Sequence, residues 1–169
     1  MKENLIVEIK NAIYELAEKI DIPKNSFAYL WKSNEDAYPF VEIDALGNIH
    51  FKVSERGKIL EDKIAKNKDE LLYWIFSGIS FSIACEYELK NRIENQDCRR
   101  IIFEKQNEIL DKLNSNWKEK RITSQLNILK NHPFDDLASI RATYSYELRK
   151  LGYSEVEINK LVYEKYPEN

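Results

Sequence analysis

The chain has 169 residues, of which 43% are hydrophobic, 12% aromatic and 33% charged, with four glycines and four prolines. That length and composition suit one ordered domain whose core needs no metal or disulfide staple, and they exclude a disordered linker protein or a loop-rich β-sandwich. Lysine and arginine number 26 against 29 aspartates and glutamates, a net charge of −3, so the basic excess that marks a general nucleic-acid binder is missing.

The opening Met1-Lys2-Glu3-Asn4 leads into a pattern broken by charge every three or four residues, without the apolar core of a signal peptide. Apolar groups at Leu5, Ile9, Ala12, Ile13, Leu16 and Ile20 predict a first helix, stopped by Pro23. Residues 24–39 lack periodicity and read as a connecting loop, with Trp31 and Tyr38 as anchors. The period then becomes two. Val41, Ile43 and Ala45 alternate with Glu42 and Asp44, Gly47-Asn48 turns the chain, and Ile49, Phe51 and Val53 alternate with His50 and Lys52. This is a hairpin with one apolar and one polar face. Ser54-Glu55-Arg56-Gly57 signals a second turn, and Lys58 to Lys63 a third antiparallel strand.

From Asp69, read as a cap, the period is 3.6. A helix to about Ile93 carries apolar residues on most sides, among them Leu71, Trp74, Phe76, Phe81, Tyr87 and Leu89, which places it at the centre of the domain. Its charge-free stretch, Leu71 to Cys85, has 15 residues, short of the ~20 that span a bilayer. Asp97 caps the next helix, with Ile101, Ile102, Ile109, Leu110 and Leu113 inward. Ser115 opens another, bearing Trp117, Ile122, Leu126 and Leu129, and Pro133 closes it. Asp135 or Asp136 caps a helix with the stripe Leu137, Ile140, Tyr144, Leu148 and Leu151, which Gly152 ends. Ser154-Glu155-Val156-Glu157 has the pattern of a capping box. The expected architecture is α+β: an N-terminal helix, a small antiparallel meander, then a mostly helical half packed around a central buried helix.

Chemistry is harder to find. His50 and His132 have no neighbour at ligand spacing, four scattered glycines cannot build a phosphate loop, and Ser77, Ser80 and Ser82 lie on the central helix without a base. No metal or cofactor is implied. Cys85 and Cys98, the only cysteines, lack a spacing motif and suit reduced thiols in a cytoplasm. Glu86, Glu88, Arg92, Glu94, Asp97, Arg99, Arg100 and Glu104 form a dense mixed-charge run. Glu88 with Arg92, and Arg100 with Glu104, stand at i, i+4, the spacing of helix-surface ion pairs. The run therefore reads as a structural charge cluster that fixes how two helices meet, against the alternative of a hydrolase or nuclease using the same carboxylates. Ten tyrosines, three tryptophans and acidic doublets such as Glu35-Asp36 leave a protein-binding surface as the remaining option.

Several runs carry a resemblance. They are Val53-Ser54-Glu55-Arg56-Gly57, then Asp69-Glu70-Leu71-Leu72-Tyr73-Trp74-Ile75-Phe76, and the stretch from Phe81 through Glu86-Tyr87-Glu88-Leu89-Lys90 to Asp97-Cys98-Arg99-Arg100. With His132-Pro133-Phe134-Asp135-Asp136 as a closing motif, residues 38–137 resemble the immunity protein 63 family of bacterial polymorphic toxin systems. Residues 69–106 are the most specific part. One immunity-protein-like domain is expected over 1–169, with the first helix and the additional C-terminal helices of 138–169 outside the resemblance. The resemblance implies a non-enzymatic cytoplasmic protein that binds and neutralises a cognate toxin domain. It implies no catalytic residues and no nucleic-acid, membrane or small-molecule partner. For the toxin contact, the expectation falls on the loop bearing Trp31, Glu35, Asp36 and Tyr38 and on Glu42 and Asp44 of the meander, since loops on a rigid scaffold carry recognition. A general protein-interaction module stays open beside this reading, and convergence of the carboxylates in a pocket would favour the enzyme instead.

Overall fold

The computed structural model describes residues 2–33 and 35–168. Helix α1 (Lys2–Glu18) is followed by a 3-10 segment (Lys24–Trp31), strands β1 (Asp36–Ile43), β2 (Ile49–Glu55) and β3 (Lys58–Ala65), and helices α2 (Lys68–Lys90), α3 (Arg99–Leu113), α4 (Ser115–Asn131), α5 (Ala138–Lys150) and α6 (Glu155–Lys165). The α+β order expected from the sequence is the one observed. By contacts the chain forms two compact units. The first runs from α1 to Ile79 and includes Ile109–Trp117; the second holds Ser80–Glu108 and the chain from Lys118 onward.

In the first unit α1 buries Ile9, Ile13 and Ala17, one residue per turn along a single stripe. The expected loop at 24–39 is instead largely structured. Residues 24–31 wind into the 3-10 segment and bury Phe27 and Leu30, while β1 begins at Asp36. A 3-10 turn has too short a run to leave a periodic signature, which is why the sequence reads as loop there. The three strands pair antiparallel in the order β1-β2-β3. Val41 faces Phe51 and Ile43 faces Ile49, Ile49 in turn faces Ala65, and all five are buried. Both hairpin turns use left-handed backbone: Gly47 in the first, and Arg56 and Gly57 together in the second. Two consecutive positive φ values give the turn whose twist matches that of its strands.

Aromatic rings close this unit. Trp117 is 3% exposed. It stacks on Phe76 at 6.2 Å and 21°, tilts against Tyr73, and donates its indole N–H to Asp69 at 3.1 Å. Phe27 lies against Phe76 and Phe51 against Trp74. Asp69 is therefore not the cap of α2. Asn67 is: its side-chain oxygen accepts from Glu70 N–H at 2.9 Å, and the Glu70 carboxylate accepts from Lys66 N–H at 2.8 Å. Asn114 likewise displaces Ser115 at the start of α4, accepting from Asn116 N–H at 2.9 Å.

The second unit has a polar interior. Gln106, Gln125 and Ser80 are buried. The Gln106 side-chain oxygen accepts from Arg121 at 2.9 Å and from Gln125 at 3.2 Å, while its amide donates to Ser80 at 3.4 Å. On α4 it is thus Gln125 that turns inward, whereas Leu126, expected in the core, is exposed. Phe81, also expected in the core, is 42% exposed, and Tyr87 and Leu89 on the same helix are exposed as well. The apolar turns of α2 are sealed only as far as Phe76 and at Ala84. Helices α5 and α6 share a small core of Leu148, Ile158 and Val162 with Tyr144 and Leu161 packed on it. The Ser154 capping box, expected from the sequence, is formed.

Two turns of this unit are tied by charge. The Asp97 carboxylate accepts from Arg99 N–H at 2.9 Å, from the Arg99 guanidinium at 2.6 Å and from Asp135 N–H at 2.9 Å. Asp97 N–H donates to Asp136, and Arg100 grips Asp136 with two bonds of 2.9 and 3.0 Å. Arg99 also donates to the His132 and Pro133 carbonyls. Arg141, itself buried, donates to Asp135.

Removing the ring of Phe76 or Trp117 by alanine substitution should cost roughly 3–5 kcal/mol through cavity formation, whereas Phe81→Ala should cost about 1 kcal/mol or less. Urea unfolding monitored by circular dichroism separates the two classes. Asp97→Ala leaves Arg99 uncompensated and should cost about 3 kcal/mol, the low end for breaking a buried pair because part of Arg99 stays in water.

Candidate interaction surfaces

The outer face of the meander carries an ionic chain rather than loose charges. Lys52 Nζ stands 2.8 Å from Glu42 and 3.8 Å from Asp62. His50 Nδ1 stands 2.8 Å from Asp62 and its Nε2 3.6 Å from Asp44. These residues alternate with the buried ones, as the period-two pattern requires. The bond to Asp62 raises the His50 pKa against the opposing effect of burial, and the bond to Glu42 raises that of Lys52.

Two of the sequence-predicted contact residues have other duties. Asp44 accepts from Leu46 N–H, Asn48 N–H and the Asn48 amide at 2.7–2.8 Å. This clamp, led by the Asn48 side chain, holds its pKa at about 2 against the usual 3.8. Glu35, at positive φ, accepts from Gly57 N–H at 2.6 Å, Ser33 at 2.8 Å and Ser54 at 3.2 Å. Its carboxyl is lowered chiefly by the Gly57 bond. Glu35 thus pins its own loop to the β2–β3 turn. Trp31 is half-buried with Lys10 Nζ 5.1 Å from its ring centre. Tyr38 is 65% exposed, and Asp36 and Glu42 are exposed beside it on β1.

The charge run separates into committed and outward groups. Glu88, only 3% exposed, receives Arg92 through bonds of 2.8 and 2.9 Å, and this bond leads the lowering of its pKa. Burial pushes Asp97 up, but the bonds from Arg99 outweigh it and leave the carboxyl below its usual range. Arg100 pairs with Asp136 and not with Glu104 at i+4; the helix-surface pair expected there is replaced by a long-range one. Glu86, Glu94 and Glu104 are exposed. The carboxylates of this run do not gather around one reacting position, because Glu88 and Asp97 are each spent on an arginine. Sequence reasoning missed Asp135, Asp136 and Arg141 as partners. The Asp135-Asp136 doublet was the one available signal.

A cleft of about 1050 Å³ opens in the second unit, walled by the 92–99 turn, the 131–135 turn, α5 and the segment 165–168. Among the described residues, no group of three or more histidines, cysteines, aspartates or glutamates could hold a metal ion.

Because the folded Asp44 titrates near 2, its contribution to stability is complete above the unfolded carboxylate value of about 4 and fades as pH falls through 2. The stability gap between the native chain and Asp44→Ala should therefore close between about pH 4 and 2, a trend readable by denaturant titration at stepped pH. His50 has the opposite sign. Its contribution is full below the usual 6.5 and is lost as pH rises through the higher folded value.

No helix among the described residues is long and apolar enough to cross a membrane. No curated protein and no solved structure matches the chain. A family model does match: immunity protein 63, over residues 45–127. That segment runs from the β1–β2 turn into α4.

Proposed function

We propose that this chain is a non-catalytic cytoplasmic immunity protein that binds and neutralises a cognate toxin domain of a bacterial polymorphic toxin system. The family match over residues 45–127 carries the reading. Two features support it. The carboxylates that an enzyme would need at 86–104 are either neutralised by arginine or turned outward, and the first unit presents an exposed aromatic–acidic strip. Asp36, Tyr38 and Glu42 supply that strip on β1, with Trp31 at the end of the preceding 3-10 turn. Glu35 and Asp44 hold its loop and hairpin in shape. A stable complex buries about 1,200–2,000 Å² in total, with a few aromatic anchors carrying most of the energy. Tyr38 is the anchor and the carboxylates steer a basic toxin surface toward it.

The duties of Glu35 and Asp44 decide the choice of variant. Reversing their charge would unpin the loop, and Glu42 is paired with Lys52, so the informative substitutions are Asp36→Asn and Tyr38→Ala together. With the toxin domain encoded beside this chain, the double variant should bind at least tenfold more weakly while unfolding near the native denaturant midpoint. Unchanged binding removes this surface from the proposal. If the native chain fails to protect cells expressing that toxin, the function itself is wrong.

A further inference from the structure

The two edges of the sheet are finished differently. On β1 the edge is blunted: the register slips between Asp36 and Pro39, and Ala37 takes a positive φ. Pro39 has no N–H to offer, and the 3-10 segment packs against the strand. Proline, bulges and covering segments are the usual means of keeping a sheet edge from pairing with another chain. Strand β3 lies at the other edge, with β2 as its one neighbour in the sheet. It runs eight residues without a proline and makes no backbone hydrogen bond to any other element among the described residues. Alternate N–H and C=O groups along it therefore point away from the sheet.

The side chains of that edge are apolar as well as charged. Ile59, Leu60 and Ile64 are all more than half exposed. Ile64 stands opposite His50 and Asp62 opposite Lys52, while Leu60 is the extra residue of a bulge, left over as the register steps from Val53–Glu61 to Ser54–Ile59. Lys63, opposite the buried Phe51, is a charge of the kind that can guard an edge. It is neutralised by Glu61 on the same strand and lies over the Trp74 ring. The strand is also complementary to its own reverse. Turned about Asp62, the run Ile59-Leu60-Glu61-Asp62-Lys63-Ile64-Ala65 sets Ile59 against Ala65, Leu60 against Ile64 and Glu61 against Lys63. Like charge meets like only at Asp62, and each copy of that carboxylate is already answered by its own His50 and Lys52.

We infer that β3 pairs antiparallel with β3 of a second copy of this chain, with Asp62 on the two-fold axis. The two three-stranded sheets become one continuous sheet, and the same residues face each other from both sides, as a two-fold contact requires. Main-chain bonds between the edges supply affinity, and the cross-strand pairs fix the register. Leu60 and Ile64 cover one another. Each Glu61 gains a second lysine without losing its own, so no ion pair has to be stripped. A single strand pair is smaller than the about 1,200–2,000 Å² of a standard stable interface, so association falls in the micromolar range. This pairing involves neither the toxin nor the β1 strip.

Sedimentation equilibrium on the full chain, from micromolar to near-millimolar concentration, should show a monomer–dimer equilibrium. Hydrogen exchange over the same range should slow at the β3 amides as concentration rises and stay constant in β1. Leu60→Lys with Ile64→Lys, both at exposed positions, should leave the chain monomeric throughout with a native circular dichroism spectrum. Glu61→Lys or Lys63→Glu alone brings like charges face to face and should weaken the dimer roughly tenfold. The two together exchange the members of each pair and should return the dissociation constant to within about threefold of the native chain. A chain that stays monomeric overturns the proposal, and β3 amides protected only by the toxin domain would then assign this edge to a strand of the toxin. A dimer that survives the Leu60 and Ile64 substitutions lies elsewhere on the molecule and overturns it too. A double charge exchange as weak as either single variant overturns the register and with it the pairing.

Discussion

A carboxylate withdrawn from water must be answered in place, and Asp97 is where the second unit meets that demand. Its side chain is 7% exposed. Burial alone would drive it toward the neutral acid, yet the surrounding donors keep it ionised. Those donors come from two distant stretches of chain, Arg99 just after it and Asp135 N–H across the unit. The requirement to satisfy one buried charge thus sets the distance between the α2–α3 turn and the α4–α5 turn. Arg100 with Asp136 and Arg141 with Asp135 then repeat the tie on either side. Such pairs add little net stability when compared with a well-packed apolar contact, but they are unforgiving of misplacement and so define geometry. The cleft exists because these turns cannot collapse on one another.

The first unit reaches rigidity by another route. Its centre is a set of rings around Trp117, and the polar atom of that indole is satisfied by Asp69. Acidic side chains again act as clips at its edges. Glu35 collects a backbone donor from the β2–β3 turn, and Asp44 collects two from the β1–β2 turn. Both clips stand next to positive-φ residues, where the turning backbone leaves N–H groups without a strand partner. The ionic chain from Glu42 to Asp44 then orders the outer face of the sheet. Its charges largely answer one another, Glu42 of β1 with Lys52 included.

The period-two alternation of Val41 to Val53 specified the hairpin and its buried face, since slipping the register by one residue would turn Phe51 and Ile49 to water. The stripe of α1 and the Ser154 capping box were equally plain, because each depends on residues within a turn or two of one another. What stayed hidden has a common cause. Whether Asn67 or Asp69 caps α2 depends on Trp117, 48 residues after Asp69. Whether Arg100 takes Glu104 or Asp136 depends on where a distant turn lies. Gln106 and Gln125 look like surface residues in any local window, and their burial makes sense only when each is seen to satisfy the other. Phe81 and Leu126 failed for the same reason in reverse: an apolar residue on a helical stripe is buried only if a neighbour arrives to cover it.

The acidic content shows how much that hidden layer matters for function. As a sum, −3 on 169 residues says almost nothing about a partner. The structure sorts the same carboxylates into those consumed internally, such as Glu35, Asp44, Glu88, Asp97 and Asp136, and those with no internal answer, such as Glu94, Glu147 and Glu168. Only the second group can contribute net attraction across an interface, because a carboxylate already donated to by backbone or guanidinium would have to be stripped first. The effective charge that a toxin would meet is therefore set by commitment rather than by count. A chain built this way can carry a near-balanced composition, keep its own turns rigid with acid–base pairs, and still leave exposed carboxylates such as Glu94 and Glu147 without a charged partner among the described residues.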